Sequence, residues 1–139
     1  MQASEIMTTH PRCCSARDSL QGAPKIMLEA DIGEVPVVDE QQKLVGIITD
    51  RDIVVRCVAA GESPDTCVVD AYMTAPAVSL TQDASVEDVA NAMAQAAVRR
   101  IPITDKEGRL CSIVAQADLE HSAARSQKEK VSQRVSTPH

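Results

Sequence analysis

The sequence predicts an α+β fold in which two β-α-β-β-α repeats pack by pseudo-two-fold symmetry into one module. Three observations lead to this class. Two segments of similar pattern lie 66 positions apart, each is preceded by an apolar stretch of helical spacing, and the apolar residues are almost all aliphatic. With one Tyr, no Phe and no Trp among 139 residues, the expected core consists of Val, Ile, Leu, Met and Ala.

The repeat is clearest at two pairs of predicted strands. Residues 35–39 (VPVVD) match residues 101–105 (IPITD), and residues 44–53 match residues 110–119 in the same register. The same shift places Met7-Thr8 on Met73-Thr74. A unit of this size is near the lower limit of independent stability, because it buries only about 60% of its unfolded surface. The two copies are therefore predicted to share a core.

The first copy begins with a short extended segment at Arg12–Cys14, followed by a helix from Ser19 to about Ala30. Ser19 is the predicted N-cap of this helix. Pro24 interrupts the helical pattern because proline lacks a backbone N–H and crowds the preceding turn, so a kink or a late helix start is expected.

Two strands and a second helix complete the first copy. The strands Val35–Val38 and Leu44–Thr49 are joined by a polar hairpin turn. The helix is predicted from about Asp50 to Ala60, with Gly61 as its stop.

The second copy repeats this plan. Ser85 followed by Asp88 is a capping signature, and a stripe of mostly small residues lies behind it: Val86, Val89, Ala90, Met93, Ala94 and Ala97. Such a stripe either packs on its own sheet or forms a subunit interface. The predicted boundaries are residues 1–60 for the first repeat, 61–68 for the linker and 69–124 for the second repeat. The polar tail, residues 125–139, is expected to be disordered or partly helical around Lys128–Val135.

The turn from Gly46 to Asp52 has the chemistry of a nucleotide site. An apolar strand ends where a helix begins, so unpaired backbone N–H groups and the positive end of a helix dipole face one spot. That arrangement attracts phosphate. Thr49 offers a hydroxyl to a phosphate oxygen, Asp52 can accept from two vicinal ribose hydroxyls, and Gly46 leaves room beside the strand. Thr followed three residues later by Asp is equally the pattern of a capping box without any ligand.

These motifs resemble a tandem pair of cystathionine-β-synthase (CBS) domains, also called a Bateman module, over roughly residues 3–122. The resemblance rests on the two Met-Thr openings, the two strand motifs around Pro36 and Pro102, and the Gly-x-x-Thr-x-x-Asp turn at Gly46–Asp52. The chain is similar to the small stand-alone bacterial members. The resemblance implies a non-enzymatic module that binds an adenosine-containing ligand between its repeats and regulates a partner.

The resemblance also assigns roles to individual residues. It implies that Thr49 contacts phosphate, that Asp52 contacts the ribose, and that Pro36, Val37 and Ile47 line the adenine slot.

In the second copy, Asp118 keeps the ribose position, whereas Ala115 replaces the hydroxyl and Ser112 the glycine. We therefore expect at most one good site per chain. Arg100, and with it Arg99, is implied as a phosphate partner across the cleft, the alternative being solvated arginines at a strand edge.

Composition disfavours several other classes of function. A net charge of −6 and the lack of aromatic stacking platforms argue against nucleic-acid binding. No stretch reaches the roughly 18 apolar residues of a membrane span, and no secretory signal is legible, so a cytoplasmic location is expected. Cys57, Cys67 and Cys111 are interpreted as core or near-core residues. Cys13-Cys14 beside His10 lack metal-ligand spacing, although one of the two thiols could face outward and be oxidised.

The leading hypothesis is a regulatory adenine-nucleotide sensor that forms a homodimer through helix faces and acts on an unknown protein in signal transduction. AMP or ATP is the expected ligand, with NAD or S-adenosylmethionine as alternatives; no tightly bound cofactor, metal site or enzymatic activity is expected. Two other hypotheses stay open. One is a ligand-free dimerising interaction module, and the other is a thiol- or metal-responsive module using Cys13 or Cys14.

Overall fold

Two sheets, one for each repeat, form the centre of the computed structural model, which describes residues 1–124. The predicted helix around Lys128–Val135 and the rest of the tail lie outside these residues. The strands are β1 (Thr8–Thr9), β2 (Cys14–Ser15), β3 (Glu34–Val38), β4 (Leu44–Thr49), β5 (Leu80–Thr81), β6 (Arg100–Thr104) and β7 (Leu110–Ala115).

Within residues 1–124, four helices flank the sheets. They are α1 (Gly22–Ala30), α2 (an α-helical turn at Asp50–Asp52 that continues as a π-helix over Ile53–Val58), α3 (Val86–Ala96) and α4 (residues 116–124). Short 3₁₀ turns occur at Ala3–Glu5, Pro64–Thr66 and Val69–Ala71. None of the helices within residues 1–124 combines the length and apolarity that a bilayer crossing requires.

The two sheets have the same internal construction. In each, a hairpin of antiparallel strands (β3 with β4, β6 with β7) is joined on its outer side by a parallel strand (β2 or β5). Pro36 lies opposite Ile47 and Pro102 opposite Ile113, and both hairpins have a register shift near the end of their first strand. Shared register and shared burial pattern confirm the predicted α+β pair of pseudo-symmetric repeats.

The segment that precedes each repeat crosses to the sheet of the other repeat. Thr8 in β1 pairs with Ile113 in β7, and Thr74 makes the equivalent bridge to Ile47 in β4. The cores follow the same exchange, because Ala3 is buried in the core of the second repeat and Val69 in that of the first. Neither core is complete without a segment from beyond its own repeat.

The core is aliphatic, as the composition predicted. The largest fully buried side chains include Leu20, Val35, Val37, Ile48, Val69, Val89, Ile101, Ile103 and Val114. The single tyrosine, Tyr72, is only partly buried against the core of the first repeat. Branched aliphatic side chains fill the narrow space between a small sheet and its helices without voids.

Helix α1 begins at Gly22, so the late start expected from Pro24 is confirmed and Ser19 as N-cap is wrong. Pro24 is the third residue of the first turn, where its missing N–H would have no partner within the helix. Ser19 instead pairs with Val68, and its hydroxyl donates to the carbonyl oxygen of Pro64 at 3.4 Å. Tertiary contact with the inter-repeat segment thus outweighs the local capping preference of serine.

The other helix ends agree closely with expectation. The Ser85–Asp88 capping box is present, with the Asp88 N–H donating to Ser85 Oγ at 3.0 Å. Helix α2 ends at Val58, two residues before the predicted end, and Gly61 takes up a φ of +79° just beyond it.

The small-residue stripe of α3 is divided between two environments. Val89 and Met93 are buried against their own sheet, whereas Ala90, Ala94 and Ala97 are exposed. Packing on the sheet is therefore confirmed for the larger residues, and the alanines form an exposed strip.

Candidate functional site

The turn between β4 and α2 is closed by a reciprocal pair of hydrogen bonds. The Asp52 N–H donates to Thr49 Oγ1 at 3.0 Å, and the Thr49 N–H donates to Asp52 Oδ2 at 3.1 Å. The Thr-x-x-Asp pattern is therefore a capping box. Because the Thr49 hydroxyl only accepts in this box, its own proton stays available for a phosphate oxygen.

The carboxylate of Asp52 has further partners inside the protein. The Thr74 hydroxyl lies 3.2 Å from both of its oxygens, and Arg56 Nε lies 3.7 Å from Oδ1. Asp52 is only 8% exposed. Burial without these partners would be costly, because a buried charge needs hydrogen bonds in place of water.

Gly46 is needed for the approach of another part of the chain. A Cβ built there would lie 2.6 Å from Met73 Sδ and 2.9 Å from the Thr74 carbonyl oxygen. The backbones of Ile47 and Thr74 exchange two hydrogen bonds, at 2.9 and 2.8 Å, directly beside it. The crossing segment thus occupies the space beside Gly46 that the sequence analysis assigned to a ligand.

The strand residues assigned to the adenine slot lie mostly in the core. Pro36 and Val37 are fully buried, and Ile47 is half-buried opposite Pro36. In this conformation they support the floor beneath the turn and present little surface to a ligand.

A cleft of about 970 Å³ lies between the repeats. Residues 31–34 and 49–51 of the first repeat line it together with residues 97–100 and 115–117 of the second and with Glu120. The cleft therefore brings Thr49 together with Arg99 and Arg100. Of the other residues proposed from the sequence, Gly46, Ile47, Pro36, Val37, Asp52 and Asp118 are not among its lining residues.

The cleft carries charges of both signs on both walls. The wall from the first repeat has three carboxylates and one arginine, and the wall from the second repeat has two arginines and one carboxylate: Asp31, Glu34, Asp50 and Arg51, and Arg99, Arg100 and Glu120. Neither Arg99 nor Arg100 takes part in an ion pair within residues 1–124. The second wall thus offers two positive charges to an anion.

Glu34 is the electrostatically unfavourable member of this cleft. Burial, together with the negative charge of Asp50, raises the pKa of Glu34 above its ordinary value, and the positive charge of Arg100 only partly opposes this. Glu34 and Arg100 occupy equivalent positions of the two repeats, so the pseudo-two-fold axis relates charges of opposite sign.

The equivalent turn of the second repeat forms only half of the box. The Ala115 N–H donates to Asp118 Oδ2 at 2.8 Å, but Ala115 has no hydroxyl to receive the reciprocal bond. Asp118 is half-buried and lies closer to solvent than Asp52. Ser112, in the place of Gly46, is fully buried, and its hydroxyl has no hydrogen-bond partner among residues 1–124.

The thiols are poorly suited to ionisation. Burial raises the pKa of Cys14 to about 11, with a further contribution from Asp18, and it raises the pKa of Cys13 in the same way. Of this pair, Cys14 is buried and Cys13 is half-buried. Over residues 1–124, no three His, Cys, Asp or Glu side chains come together in a group that could hold a metal ion.

The remaining cysteines lie where the sequence analysis placed them. Cys57 is fully buried in the core of the first repeat, and Cys67 packs against the same core. Cys111 packs against the core of the second repeat.

The sequence analysis missed Thr74 as a site residue. Its match to Thr8 was visible as part of the repeat, but sequence alone does not show that it crosses to the other sheet and meets Asp52. A polar residue conserved in position between two copies of a repeat, outside any predicted strand or helix, was the available indication.

Comparison with known proteins assigns the family. The CBS domain model matches residues 3–58 and again residues 68–124. The uncharacterized protein YlbB of Bacillus subtilis is 41% identical over 116 residues, which cover 83% of this chain and 77% of YlbB. Hypoxic response protein 1 of Mycobacterium tuberculosis is 34% identical over 117 residues, covering 84% of this chain and 81% of that protein.

Solved structures show the same relationship. A crystal structure of Hypoxic Response Protein I with two coordinated zinc ions has a TM-score of 0.80 at 32% identity, covering 87% of this chain and 98% of that one. The CBS domain pair of protein MJ0100, in complex with 5′-methylthioadenosine and S-adenosyl-L-methionine, has a TM-score of 0.74 at 28% identity, with coverages of 87% and 98%. The chain belongs to the CBS-domain family and is a tandem CBS pair.

Proposed function

We propose that this CBS pair is a regulatory sensor that binds an adenine nucleotide, of AMP or ATP type, at the Thr49–Asp52 turn and acts on a partner protein. One observation carries the proposal. The Thr49 hydroxyl lines one cleft between the repeats together with Arg99 and Arg100, which make no ion pair within residues 1–124. A hydroxyl, a helix start and two arginines together form a phosphate site.

Each site residue has a role in this proposal. Thr49 donates to a phosphate oxygen, and Arg99 and Arg100 neutralise the phosphate from the opposite wall. Asp52 receives the ribose hydroxyls. Because four carboxylates share the cleft with three arginines, its net charge suits one phosphate group better than three; the charged residues are Asp31, Glu34, Asp50, Glu120, Arg51, Arg99 and Arg100. AMP is therefore expected to bind more tightly than ATP.

The ligands of a relative support the adenosine class. The CBS pair of MJ0100 was crystallised with two adenosine compounds, 5′-methylthioadenosine and S-adenosyl-L-methionine. Both carry the ribose diol that Asp52 is proposed to recognise, and neither carries a phosphate. S-Adenosylmethionine and NAD thus remain the alternative ligands.

Thermal unfolding with AMP, ADP, ATP, NAD and S-adenosylmethionine tests the proposal. A ligand that binds only the folded protein adds about 2.7 kcal/mol of stability at 100 times its dissociation constant. For a domain of this size, that is a shift of several degrees in Tm.

Two matched variants locate the site. Asp52→Ala is expected to abolish the ligand-induced shift, whereas Asp118→Ala, which removes the equivalent carboxylate of the second turn, preserves it. Both variants lose a hydrogen bond at a helix start, and Asp52→Ala also loses the contacts with Thr74 and Arg56, so the Tm of each variant without ligand is measured first and each shift is taken from that value. Normal ligand binding by Asp52→Ala would overturn the assignment.

We also propose that the protein is a cytoplasmic homodimer that associates through helix faces. Val54, Val55 and Val58 on α2 are 58%, 50% and 54% exposed, which is unusual for three valines on one helix. Sedimentation is expected to give a dimer, and Val58→Glu a monomer. A monomeric wild-type protein would contradict this.

A ligand-free interaction module is the second candidate. The observation that favours it is the carboxylate of Asp52, which is already satisfied by Thr74 and Thr49. If no compound of the panel stabilises the protein, this candidate replaces the sensor. A thiol- or metal-responsive module has less support, since the pKa of Cys14 is raised; metal analysis of protein purified with zinc and without reductant tests it.

A further inference from the structure

The contact between Thr74 and Asp52 has an unusual geometry. A single hydroxyl lies at the same distance, 3.2 Å, from both oxygens of the carboxylate. It therefore lies midway between the two oxygens, on the side that faces away from their carbon atom. A hydroxyl has one proton, so this proton is shared between the two oxygens.

A ribose diol needs that same position. Two vicinal hydroxyls donate one hydrogen bond to each carboxylate oxygen, and both approach from the side of the bisector. Two further groups lie around the carboxylate: the Thr49 N–H donates to Oδ2 at 3.1 Å, and Arg56 Nε lies 3.7 Å from Oδ1, an ion pair longer than a hydrogen bond. With Asp52 only 8% exposed, a diol cannot reach it while the Thr74 hydroxyl stays in place.

The backbone of Thr74 is fixed. It exchanges two hydrogen bonds with Ile47, at 2.9 and 2.8 Å, and its carbonyl oxygen would lie 2.9 Å from any Cβ at position 46. Rotation about χ1 moves the hydroxyl off the carboxylate without breaking these bonds. The side chain is thus the movable part and the crossing segment its rigid support.

We infer that Thr74 sets the affinity of this site by occupying the position of the ribose diol on Asp52. The inference rests on the proposed function, since it concerns the same carboxylate. Ligand binding then requires the exchange of one hydrogen bond for two, and the ligand contacts the segment of the second repeat that crosses to the first sheet. Thr74 therefore links occupancy of the first turn to the second repeat.

The repeat provides a matched control. Thr8 occupies the equivalent position and is exposed, as Thr74 is, but within residues 1–124 its hydroxyl makes no hydrogen bond to Asp118. Thr8→Val therefore makes the same chemical change without releasing a carboxylate.

Titration calorimetry with AMP and with S-adenosylmethionine tests the inference on Thr74→Val, Thr74→Ser, Thr8→Val and wild type. Thr74→Val removes the hydroxyl and keeps the shape, so the probe that binds wild type is expected to bind about tenfold more tightly, the worth of one hydrogen bond to a charged group. Thr74→Ser and Thr8→Val are expected to match wild type. Thr74→Ala is the substitute if Thr74→Val does not fold.

The outcomes separate the two proposals. Unchanged or weaker binding by Thr74→Val, with wild-type binding lost in Asp52→Ala, overturns the role of Thr74 and leaves the sensor in place. If neither probe binds any variant, including Thr74→Val, both proposals fail. Binding by Thr74→Val alone would support the role of Thr74 and count against the sensor, since the wild-type protein itself would bind neither probe.

Discussion

The two strand-to-helix turns share a backbone and differ in chemistry. At the first, Thr49 and Asp52 form a complete capping box, and the carboxylate is covered by Thr74. At the second, Ala115 and Asp118 form half of the box, and the carboxylate is closer to solvent. The first turn thus has the hydroxyl proposed to bind phosphate, but its carboxylate is in contact with Thr74, whereas the second turn has a more accessible carboxylate and no hydroxyl. The strand register is the same in the two copies, and the two turns differ in a few side chains.

The same contrast holds for the strands that open on the cleft. In the first repeat, Gly33 precedes β3 and Glu34 is its first residue. In the second repeat, Arg99 precedes β6 and Arg100 is its first residue. In each repeat the first residue of the helix is tied to this strand start, Asp50 to Gly33 at 2.9 Å and Gln116 to Arg99 at 2.8 Å. The two repeats therefore present opposite charges, Glu34 and Arg100, at equivalent backbone positions. Because only the second repeat has positive charge at this position, the cleft favours one bound anion over two.

Gly46→Ser is expected to have the largest effect, because it places the serine found at position 112 of the second repeat at the equivalent position of the first. The new Cβ would meet Met73 Sδ at 2.6 Å and backbone at 2.9 Å, so the crossing segment must shift. We expect a loss of about 1–3 kcal/mol in the free energy of unfolding, as for other overpacked sites. Chemical denaturation measures it. Unchanged stability would mean that the segment is loosely held.

Ala115→Thr tests whether the missing hydroxyl accounts for the difference between the two turns, because it restores the second hydrogen bond of the capping box. The threonine hydroxyl is expected to accept from the N–H of Asp118, as Thr49 does from Asp52. Such a cap is worth about 1 kcal/mol. Calorimetry should also show a second, weaker nucleotide site. If stability rises and the stoichiometry does not, Thr49 acts only as a cap.

Ser112→Ala tests how much stability the protein loses because the second repeat has a serine where the first has Gly46. The Ser112 hydroxyl is buried without a partner in the described part of the chain, and such a group costs about 1–3 kcal/mol. Removal of the hydroxyl is expected to stabilise the protein by about 1 kcal/mol. Thermal unfolding measures this gain in stability. The control is Thr9→Ala, which removes an exposed hydroxyl from the residue paired with Ser112. If Ser112→Ala is destabilised instead, the Ser112 hydroxyl binds a water molecule.

Glu34→Gln addresses the charge asymmetry and has the smallest expected effect. Since the pKa of Glu34 is raised in the folded protein, the folded state binds more protons, and stability falls as pH rises from about 4.3 through the raised pKa. The variant should lack this decline and gain about 1–3 °C in Tm at pH 7. Glu40→Gln, on the exposed hairpin, is the control. An equal pH profile for wild type and Glu34→Gln would exclude the effect.

Features with local causes were predicted well. The strand pairs around Pro36 and Pro102, the helix stop near Gly61 and the Ser85 cap follow from alternation, turn chemistry and capping over a few residues. The predicted N-cap at Ser19 was wrong because a distant contact decides its position: the Ser19 hydroxyl donates to the carbonyl oxygen of Pro64. The candidate site residues were proposed by the same local logic and stay a prediction, and that logic did not include the contact of Thr74 with Asp52.

What the sequence determined by itself was the repeat, its fold class and the inequality of its two turns, because each is written in residues close together or at one fixed spacing. Only the tertiary structure decided which segment lies on which sheet. The crossing of residues 67–74 to the first core brings Thr74 to Asp52 across 22 positions and explains Gly46 through a chain contact. Such contacts depend on how two small cores are completed, since each gains the apolar burial it lacks by taking a segment from beyond its own repeat.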